Sequence, residues 1–258
     1  MPPLWERIAA AMRNSDRWTE TKYVRRRGRL VASRDRNEVG IGSLLISDRV
    51  AALYETGLAR HARGRLVDLG CGKVPFYAAY RGLVDSITCV DWPQSVHASP
   101  YLDCEADLNG PLPFADAAFD TVILSDVLEH VPDPRQLWRE IARLLAPGGK
   151  LLLNLPFLYG VHEAPHDYGR YTAFALRRFA HEVGLRVLEL EAVGGSLHVL
   201  ADLMAKHLAH VPLVGALAAR GVQGFVAFVD RFEWGQGLAR RSAERFPLGY
   251  FMVATKPA

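Results

Sequence analysis

The stretch VDLGCGKVPF at residues 67–76 is the most informative part of this 258-residue chain. Its first positions are apolar, as in the end of a buried strand, and Asp68 lies within that end. Gly70 and Gly72 follow at once, and glycine permits a tight turn that exposes bare backbone to a ligand. Pro75 suits the first position of a helix. The stretch therefore predicts a strand, a glycine turn and a helix, in that order.

A dinucleotide-binding turn is the main alternative for these residues. Such a turn has three glycines and holds a pyrophosphate at a helix N-terminus. Here Val74 stands where the third glycine is wanted, and the Asp68 carboxylate would repel a diphosphate. S-adenosylmethionine carries an ammonium and a sulfonium but no phosphate, so an acid in the turn favours its binding. We therefore predict S-adenosylmethionine as the cofactor.

Polar residues also end the strands that follow. SITCVDW at 86–92 predicts a strand that ends in Asp91, about 20 residues past the glycines, where an acid meets ribose hydroxyls in mononucleotide-binding folds. FDTVILS predicts another strand, whose end at Ser125 and Asp126 opens onto the same cleft. A helix, the turn PGG at 147–149 and a further buried strand come next. This alternation predicts a doubly wound α/β sheet.

These blocks resemble the class I S-adenosylmethionine-dependent methyltransferases, particularly the bacterial group called methyltransferase type 11. The likeness spans residues 64 to about 192. It rests jointly on LPFADAAFD at 112–120, VLEHV at 127–131 and PGG at 147–149. The resemblance implies a Rossmann-like doubly wound sheet of about seven strands, in which the last two form an antiparallel hairpin that carries a helical insertion.

The resemblance also implies a set of cofactor contacts. The glycine turn would hold the methionine end, Asp91 the ribose, and Asp107 with Leu108 the adenine. The residues predicted to bind the cofactor are Asp68, Gly70, Cys71, Gly72, Asp91, Trp92, Asp107, Leu108, Ser125 and Asp126. Many members of the group keep a glycine where this chain has Lys73-Val74. The resemblance therefore does not determine which atoms of that turn contact the cofactor.

The segment HEAPHDYGRYT at 162–172 supplies candidates for the acceptor side of the cleft. It leaves the carboxyl end of a predicted strand, where open α/β sheets place their ligands, and a similar block in the resembling group lies near the acceptor. A histidine that titrates near neutrality can take the acceptor proton during methyl transfer. His166 is the first candidate for this catalytic role and His162 the second. The residues predicted to bind the substrate are Tyr168, Arg170 and Tyr171.

A structural role is the alternative for several of these side chains. Asp167 and Arg170 can pair to hold the loop, and Thr172 can cap the following helix. For Glu129 and His130 we favour a role in organising the loop after the fourth strand, although direct catalysis by His130 stays open. No metal site is predicted, because the cofactor explains the acids and the histidines lack paired ligand spacing on one helix.

Composition fits an intracellular enzyme. Half of the residues are apolar, enough for one large core, and the net charge of +3 does not by itself imply a nucleic-acid partner. The three cysteines fit neither a disulfide framework nor a zinc site, so we predict a reducing, cytoplasmic location. Charged residues interrupt the apolar positions of the first 18 residues, and no signal peptide is predicted.

The N-terminal part, residues 1–63, is predicted to contain helices and a basic arm. The arm, KYVRRRGRLVASRDR at 22–36, holds most of the local basic excess. One interpretation is a segment that binds an anionic substrate. We favour a solvated, partly flexible segment, because aromatic interleaving is limited to Tyr23. The helix predicted from about Ser43 to His61 should pack against the sheet.

A long insertion separates the last two predicted strands. We assign residues 194–245 to a helical cap, and residues 64–193 with 246–258 to the cofactor-binding core. Within the cap, 211–229 is nearly uncharged, but Arg220 and three glycines argue against a membrane span. Contact with a membrane surface, a buried helix pair and a homodimer surface stay open.

Three functions from different classes remain. We favour a biosynthetic methyltransferase that acts on a hydroxyl of a sugar, a lipid-linked intermediate or a natural product. The second is an RNA or protein methyltransferase that uses Arg25–Arg29. The third is an S-adenosylmethionine-binding partner protein without transferase activity. The acceptor atom and the oligomeric state do not follow from the sequence.

Overall fold

A computed structural model describes residues 12–93 and 99–258; helices predicted before residue 12 lie outside this range. The strands are β1 (Tyr23–Arg26), β2 (Arg29–Ala32), β3 (Arg65–Leu69), β4 (Ser86–Asp91), β5 (Cys104–Glu105), β6 (Phe119–Ser125), β7 (Leu145–Pro156), β8 (Arg186–Val193) and β9 (Gly249–Thr255). The helices are α1 (Leu44–His61), α2 (Tyr77–Tyr80), α3 (Pro134–Leu144), α4 (Ala173–Glu182), α5 (Ser196–Leu208), α6 (Gly215–Val229) and α7 (Glu233–Ala243).

Seven of the strands form one sheet in the order β5-β4-β3-β6-β7-β9-β8. The pairs from β5 to β7 are parallel, whereas β9 runs antiparallel to both β7 and β8. This is the predicted Rossmann-like sheet with an antiparallel terminal hairpin, and the prediction is confirmed. From β3 the chain passes to β4 on one side and later to β6 on the other. Such a switch point opens a crevice at the carboxyl ends of the strands.

Alternating strand residues supply the two cores on either side of the sheet. In β3, Val67 packs with Trp138 of α3 in one core, and Leu66 packs with Tyr54 of α1 in the other. All four side chains are fully buried. Because side chains alternate between the faces of a strand, β3 serves both cores, as a central parallel strand should.

The basic arm forms a β-hairpin over Tyr23–Ala32: the predicted solvation holds for Arg25–Arg29, which are exposed, whereas the predicted partial flexibility does not fit the paired strands. Strands β1 and β2 pair antiparallel, and Tyr23 and Leu30 are buried in the core that also contains α1. Two carboxylates of α1 accept hydrogen bonds from β2: Glu55 from the Leu30 amide at 3.0 Å and Asp48 from the Ala32 amide at 2.9 Å. The alternation of apolar side chains that face the core was not recognised in the sequence, because basic residues dominate this segment.

The two predicted turns differ from expectation. Pro75 does not begin a helix: α2 is a single turn that starts at Tyr77 after the N-cap Phe76. Phe76 stacks on Tyr54 of α1 with ring centroids 4.0 Å apart, and this buried contact packs the start of α2 against α1. The PGG segment lies inside the first part of β7, where the backbone amide of Gly148, at φ 77°, donates to Lys256.

Helices α5, α6 and α7 occupy the chain between β8 and β9. Helix α6 contacts α5 and α1 through a buried face that includes Ala219, Gln223 and Val226. Its opposite face exposes Leu217, Phe225 and Phe228. Among the described helices, none combines the length and apolarity of a membrane span.

Candidate functional site

A cavity of about 680 Å³ opens at the carboxyl ends of β3, β4 and β6. This volume lies within the range of ligand and cofactor sites. Nine predicted cofactor residues line it: Gly70, Cys71, Gly72, Asp91, Trp92, Asp107, Leu108, Ser125 and Asp126. His166 and Tyr168, predicted for the acceptor side, line the same cavity. The fold therefore brings both sets of side chains to one space.

The glycine turn folds back onto the end of β4. The carbonyl of Val90 accepts hydrogen bonds from the amides of Gly70 and Cys71 at 2.8 and 3.0 Å. The Gly72 amide donates to Oδ2 of Asp91 at 2.8 Å. Gly70 has a φ of 69°, and a Cβ there would collide with Val127. Glycine is thus required at position 70 both by conformation and by space.

Asp68 does not reach the cavity, which departs from the cofactor contact predicted for it. It lies on the same face of β3 as Leu66, where the Tyr80 hydroxyl donates to Oδ2 at 3.1 Å. Burial raises the pKa of Asp68 to about 7. The negative charge of Asp91 also raises this pKa, whereas the hydrogen bond from Tyr80 lowers it. The acid therefore lies behind the glycine turn and not in its ligand-facing wall.

Lys22 belongs to the cavity wall although it was not among the predicted site residues. Its Nζ lies 2.9 Å from Oδ2 of Asp126, and Nδ2 of Asn154 donates to Oδ1 of the same carboxylate at 2.6 Å. Ser125 Oγ donates to the Asn154 side-chain oxygen at 2.7 Å. The only sequence signal for Lys22 was its place at the start of the basic arm, because the contact joins residues far apart in sequence.

The acceptor side of the cavity is formed by the loop between β7 and α4. The Glu129 carbonyl holds this loop by accepting the amides of Tyr168 at 2.8 Å and Gly169 at 3.2 Å. The His166 ring meets Trp92 edge to face with centroids 5.1 Å apart, and its Nδ1 lies 3.1 Å from the Tyr168 hydroxyl. Trp92 follows β4, so this ring contact joins the cofactor wall to the acceptor wall.

Three predicted residues of this loop do not line the main cavity. His162 lines a second cavity of about 130 Å³. Arg170 forms a bidentate pair with Asp167, at 2.5 and 2.8 Å, which holds the pKa of Asp167 well below its usual range. Tyr171 packs against Phe179 of α4. Arg170 and Tyr171 thus support the loop from behind, as the structural alternative describes for Arg170.

Thr172 caps α4, as the sequence predicts: its Oγ1 accepts the Ala175 amide at 3.2 Å. The loop and the helix that follows it therefore have a fixed junction. A cap of this kind contributes about 1 kcal/mol to helix stability.

Glu129 lies between two imidazoles beside the main cavity. Its side chain is fully buried, with Oε1 3.7 Å from Nε2 of His162 and 3.8 Å from Nε2 of His130. Burial raises the pKa of Glu129, and the nearby carboxylate raises the pKa of His162. The three side chains form a cluster whose ligand atoms lie within 4.8 Å of one another.

Comparisons with known proteins agree with this geometry. Residues 67–153 match a family model described as a methyltransferase domain. An uncharacterized methyltransferase of Mycobacterium leprae (strain Br4923) is 33% identical over 156 residues, which cover 55% of this chain and 58% of that protein. A ubiquinone biosynthesis O-methyltransferase of Xanthomonas euvesicatoria pv. vesicatoria (strain 85-10) is 34% identical over 106 residues, 36% of this chain and 43% of that one. The chain thus spans roughly half the length of these curated relatives.

A solved structure supports the fold. The complex between the Haloferax volcanii Trm112 methyltransferase activator and a putative methyltransferase contains a chain that aligns with a TM-score of 0.52 at 19% identity, over 85% of this chain and 98% of that chain. The family match, the sheet order and the placement of the glycine turn and of Asp91 agree with one another. Residues 67–153 therefore form a domain of the class I S-adenosylmethionine-dependent methyltransferases.

Proposed function

We propose that the protein transfers a methyl group from S-adenosylmethionine to a hydroxyl of a small-molecule or glycan acceptor: a sugar, a lipid-linked intermediate or a natural product. The observation that carries this proposal is the shared cavity, which is lined by the glycine turn and Asp91 on one side and by His166 and Tyr168 on the other. A donor and an acceptor bound there would be held next to each other, which is the main requirement of methyl transfer.

His166 is the proposed general base. If its Nδ1–H donates to the Tyr168 hydroxyl 3.1 Å away, Nε2 carries the free lone pair. The acceptor oxygen then attacks the methyl carbon, the bond from carbon to sulfur breaks with its electron pair on sulfur, and Nε2 takes the acceptor proton. S-adenosylhomocysteine and the methyl ether are the products. Proton removal contributes less than the positioning of the two reactants.

The test of this role is His166→Ala. We expect turnover to fall by about 100-fold or more, since general bases contribute factors of that order, while cofactor affinity stays nearly unchanged. Transfer of labelled methyl from S-adenosylmethionine to nucleotide sugars and to a bacterial lipid extract measures turnover, and calorimetry measures cofactor affinity. The matched control is His181→Ala, an exposed histidine of α4. Equal turnover in His166→Ala and wild type would contradict the proposal.

A lipid-linked acceptor is favoured by the outer surface of the helical insertion. Helix α6 exposes Leu217, Phe225 and Phe228, and α7 exposes Trp234, at 53–74% of their full areas. The same part of the chain exposes five arginines, Arg220, Arg231, Arg240, Arg241 and Arg245, and two acids, Glu233 and Glu244. Exposed aromatic and aliphatic side chains together with an excess of exposed arginines match the interface of an anionic bilayer. We therefore propose that this surface, the α6–α7 apolar surface, contacts anionic lipid.

A role for the basic arm in nucleic-acid binding has less support. Lys22, Arg25 and Arg34 contact the carboxylates of Asp126, Glu55 and Asp48, at 2.9, 3.2 and 2.8 Å. These three cations are less available to phosphate groups, whereas Arg26, Arg27 and Arg29 are exposed. We propose that the arm contributes Lys22 to the cavity wall.

A further inference from the structure

The side chain of Glu129 has no hydrogen-bond donor among the described residues. It lies in the single 3₁₀ turn Leu128–His130 that follows β6, and it is 0% exposed. Neither carboxylate oxygen accepts a hydrogen bond from the described part of the chain. Taking a carboxylate out of water without a partner costs several kcal/mol. A buried acid of this kind is either protonated or balanced by a cation in its immediate surroundings.

Two imidazole nitrogens point at this carboxylate. Nε2 of His162 and Nε2 of His130 lie 3.7 and 3.8 Å from Oε1, too far for hydrogen bonds. His130 Nε2 is itself buried without a hydrogen-bond partner in the described chain. The carboxylate oxygen and the two Nε2 atoms all lie within 4.8 Å of one another.

The other ring nitrogens explain why the two Nε2 atoms present lone pairs. Nδ1 of His130 lies 2.5 Å from the carbonyl oxygen of His166, which can only accept. Nδ1 of His162 lies 3.3 Å from the Gly160 carbonyl and 3.4 Å from Oδ2 of Asp167. Acceptors at both Nδ1 atoms hold the neutral imidazoles in the tautomer protonated at Nδ1. Histidine ligands of metals are oriented by the same kind of contact.

We propose that Glu129, His130 and His162 bind a divalent transition-metal ion, with Zn²⁺ as the best match. Two imidazole nitrogens and one carboxylate oxygen form a ligand set known for zinc, whereas Mg²⁺ and Ca²⁺ prefer oxygen ligands. Tetrahedral coordination at about 2.0–2.1 Å places ligand atoms about 3.3 Å apart. The ligand atoms here lie within 4.8 Å, so side-chain adjustments of about 1.5 Å or less complete the site.

The cluster borders both ligand cavities, so a bound ion would be within reach of a molecule held there. His130 lines the main cavity and His162 the smaller one, and their side chains are 14% and 28% exposed. Three protein ligands and one exchangeable position are typical of a catalytic metal and not of a closed structural one. His162 then serves as a ligand, and His166 remains the candidate base.

The sequence did not predict this site, because its residues come from two loops that meet only in the folded chain. Glu129 and His130 follow β6, and His162 follows β7, adjacent parallel strands whose ends lie side by side. A protonated imidazole paired with the Glu129 carboxylate is the competing arrangement, and it requires no metal.

The experiment is a Zn²⁺ titration of the untagged protein against a chromophoric chelator, without donor or acceptor present. We expect wild type to bind one equivalent of Zn²⁺. The affinity should be lower by about 100-fold or more in His162→Ala, because losing even a residue that only hydrogen-bonds a ligand costs about 10–100-fold. His181→Ala, on exposed α4, is the matched control and should bind as wild type does. Glu129→Gln should also lose the ion, with circular dichroism reporting whether that variant is folded.

X-ray absorption of the zinc-loaded wild type gives a second readout that does not depend on variants. We expect a first shell of nitrogen and oxygen with the scattering of two imidazoles. No stoichiometric binding by wild type, unchanged binding in His162→Ala, or a shell without imidazole would each overturn the proposal. Because these measurements involve no methyl transfer, their failure leaves the proposed function untouched.

Discussion

Asp68 shows what a single residue in a motif does and does not reveal. The sequence indicates an acid at the end of β3, beside the glycine turn. It does not indicate which face of the strand the acid occupies, because the face depends on the register that the whole sheet adopts. In the structure Asp68 shares the α1-side core with Tyr80, whereas Asp91, which ends β4, lies at the cavity.

The burial of Asp68 predicts a pH-dependent effect of Asp68→Asn. The folded-state pKa of about 7 lies above the ordinary 3.8, so between these values the folded protein holds a proton that the unfolded chain has lost. This group's contribution to stability therefore falls as pH rises from about 4 to 7 and is constant above. Asparagine cannot ionise, so the variant does not lose stability as the pH rises. Its free energy of unfolding should exceed that of wild type by about 2–4 kcal/mol at pH 8 and nearly equal it at pH 4.

Denaturant unfolding at pH 4, 6 and 8 measures this difference in the free energy of unfolding. Asp85→Asn, at an exposed position just before β4, is the control and should show little difference at any pH. A stability difference for Asp68→Asn that is independent of pH would show that the carboxyl is not protonated in the folded protein.

At the scale of elements, apolar periodicity predicted where helices form but did not predict which helices contact each other. The predicted helix from Ser43 to His61 is observed as α1, Leu44–His61. Its first turn is completed by α6, more than 170 residues later: Gln223 Oε1 accepts the Leu45 amide at 2.8 Å, and Nε2 donates to the Ile41 carbonyl at 2.7 Å. No local pattern encodes a partner at that distance.

Gln223→Leu should therefore destabilise the protein although it keeps the side chain's size. It leaves the Leu45 amide and the Ile41 carbonyl buried without these partners, which costs about 1–3 kcal/mol. Urea unfolding measures the loss, and Gln236→Leu, at an exposed position of α7, should change stability by less than about 0.5 kcal/mol. Equal stabilities of the two variants would mean that the helical insertion does not support α1.

For the whole molecule, the sequence predicted the sheet and most of the cavity, because strand ends and glycine turns are local signals. It did not predict that Lys22 of the basic arm reaches Asp126, nor that Glu129, His130 and His162 converge. These contacts join segments separated by 32 to 104 positions and depend on how loops pack at the sheet edge. It also left open what the 211–229 segment contacts, and the structure places apolar side chains of that segment on the surface.

The α6–α7 apolar surface predicts binding to anionic vesicles. We expect wild type to float with vesicles of phosphatidylcholine and phosphatidylglycerol, and less with phosphatidylcholine alone, because both apolar burial and arginine contacts contribute. Replacing Leu217, Phe225 and Phe228 with serine should abolish flotation. The control is Phe174→Ser, an 84% exposed phenylalanine on α4.

The same triple variant distinguishes lipid from a second copy of the chain. If wild type does not float and elutes as a dimer that the variant converts to a monomer, the surface is a homodimer interface, and the lipid proposal is wrong. If it floats as a monomer, a lipid-linked acceptor gains direct support.

The central claim is that the cavity at the ends of β3, β4 and β6 binds S-adenosylmethionine, and calorimetric titration tests it most directly. We predict micromolar binding of S-adenosylmethionine and S-adenosylhomocysteine by wild type. Asp91→Asn should weaken both by about 10-fold or more, because an amide loses the charge-assisted bonds to ribose hydroxyls. Asp85→Asn should bind as wild type does. No binding of either ligand by the folded wild-type protein would contradict the account.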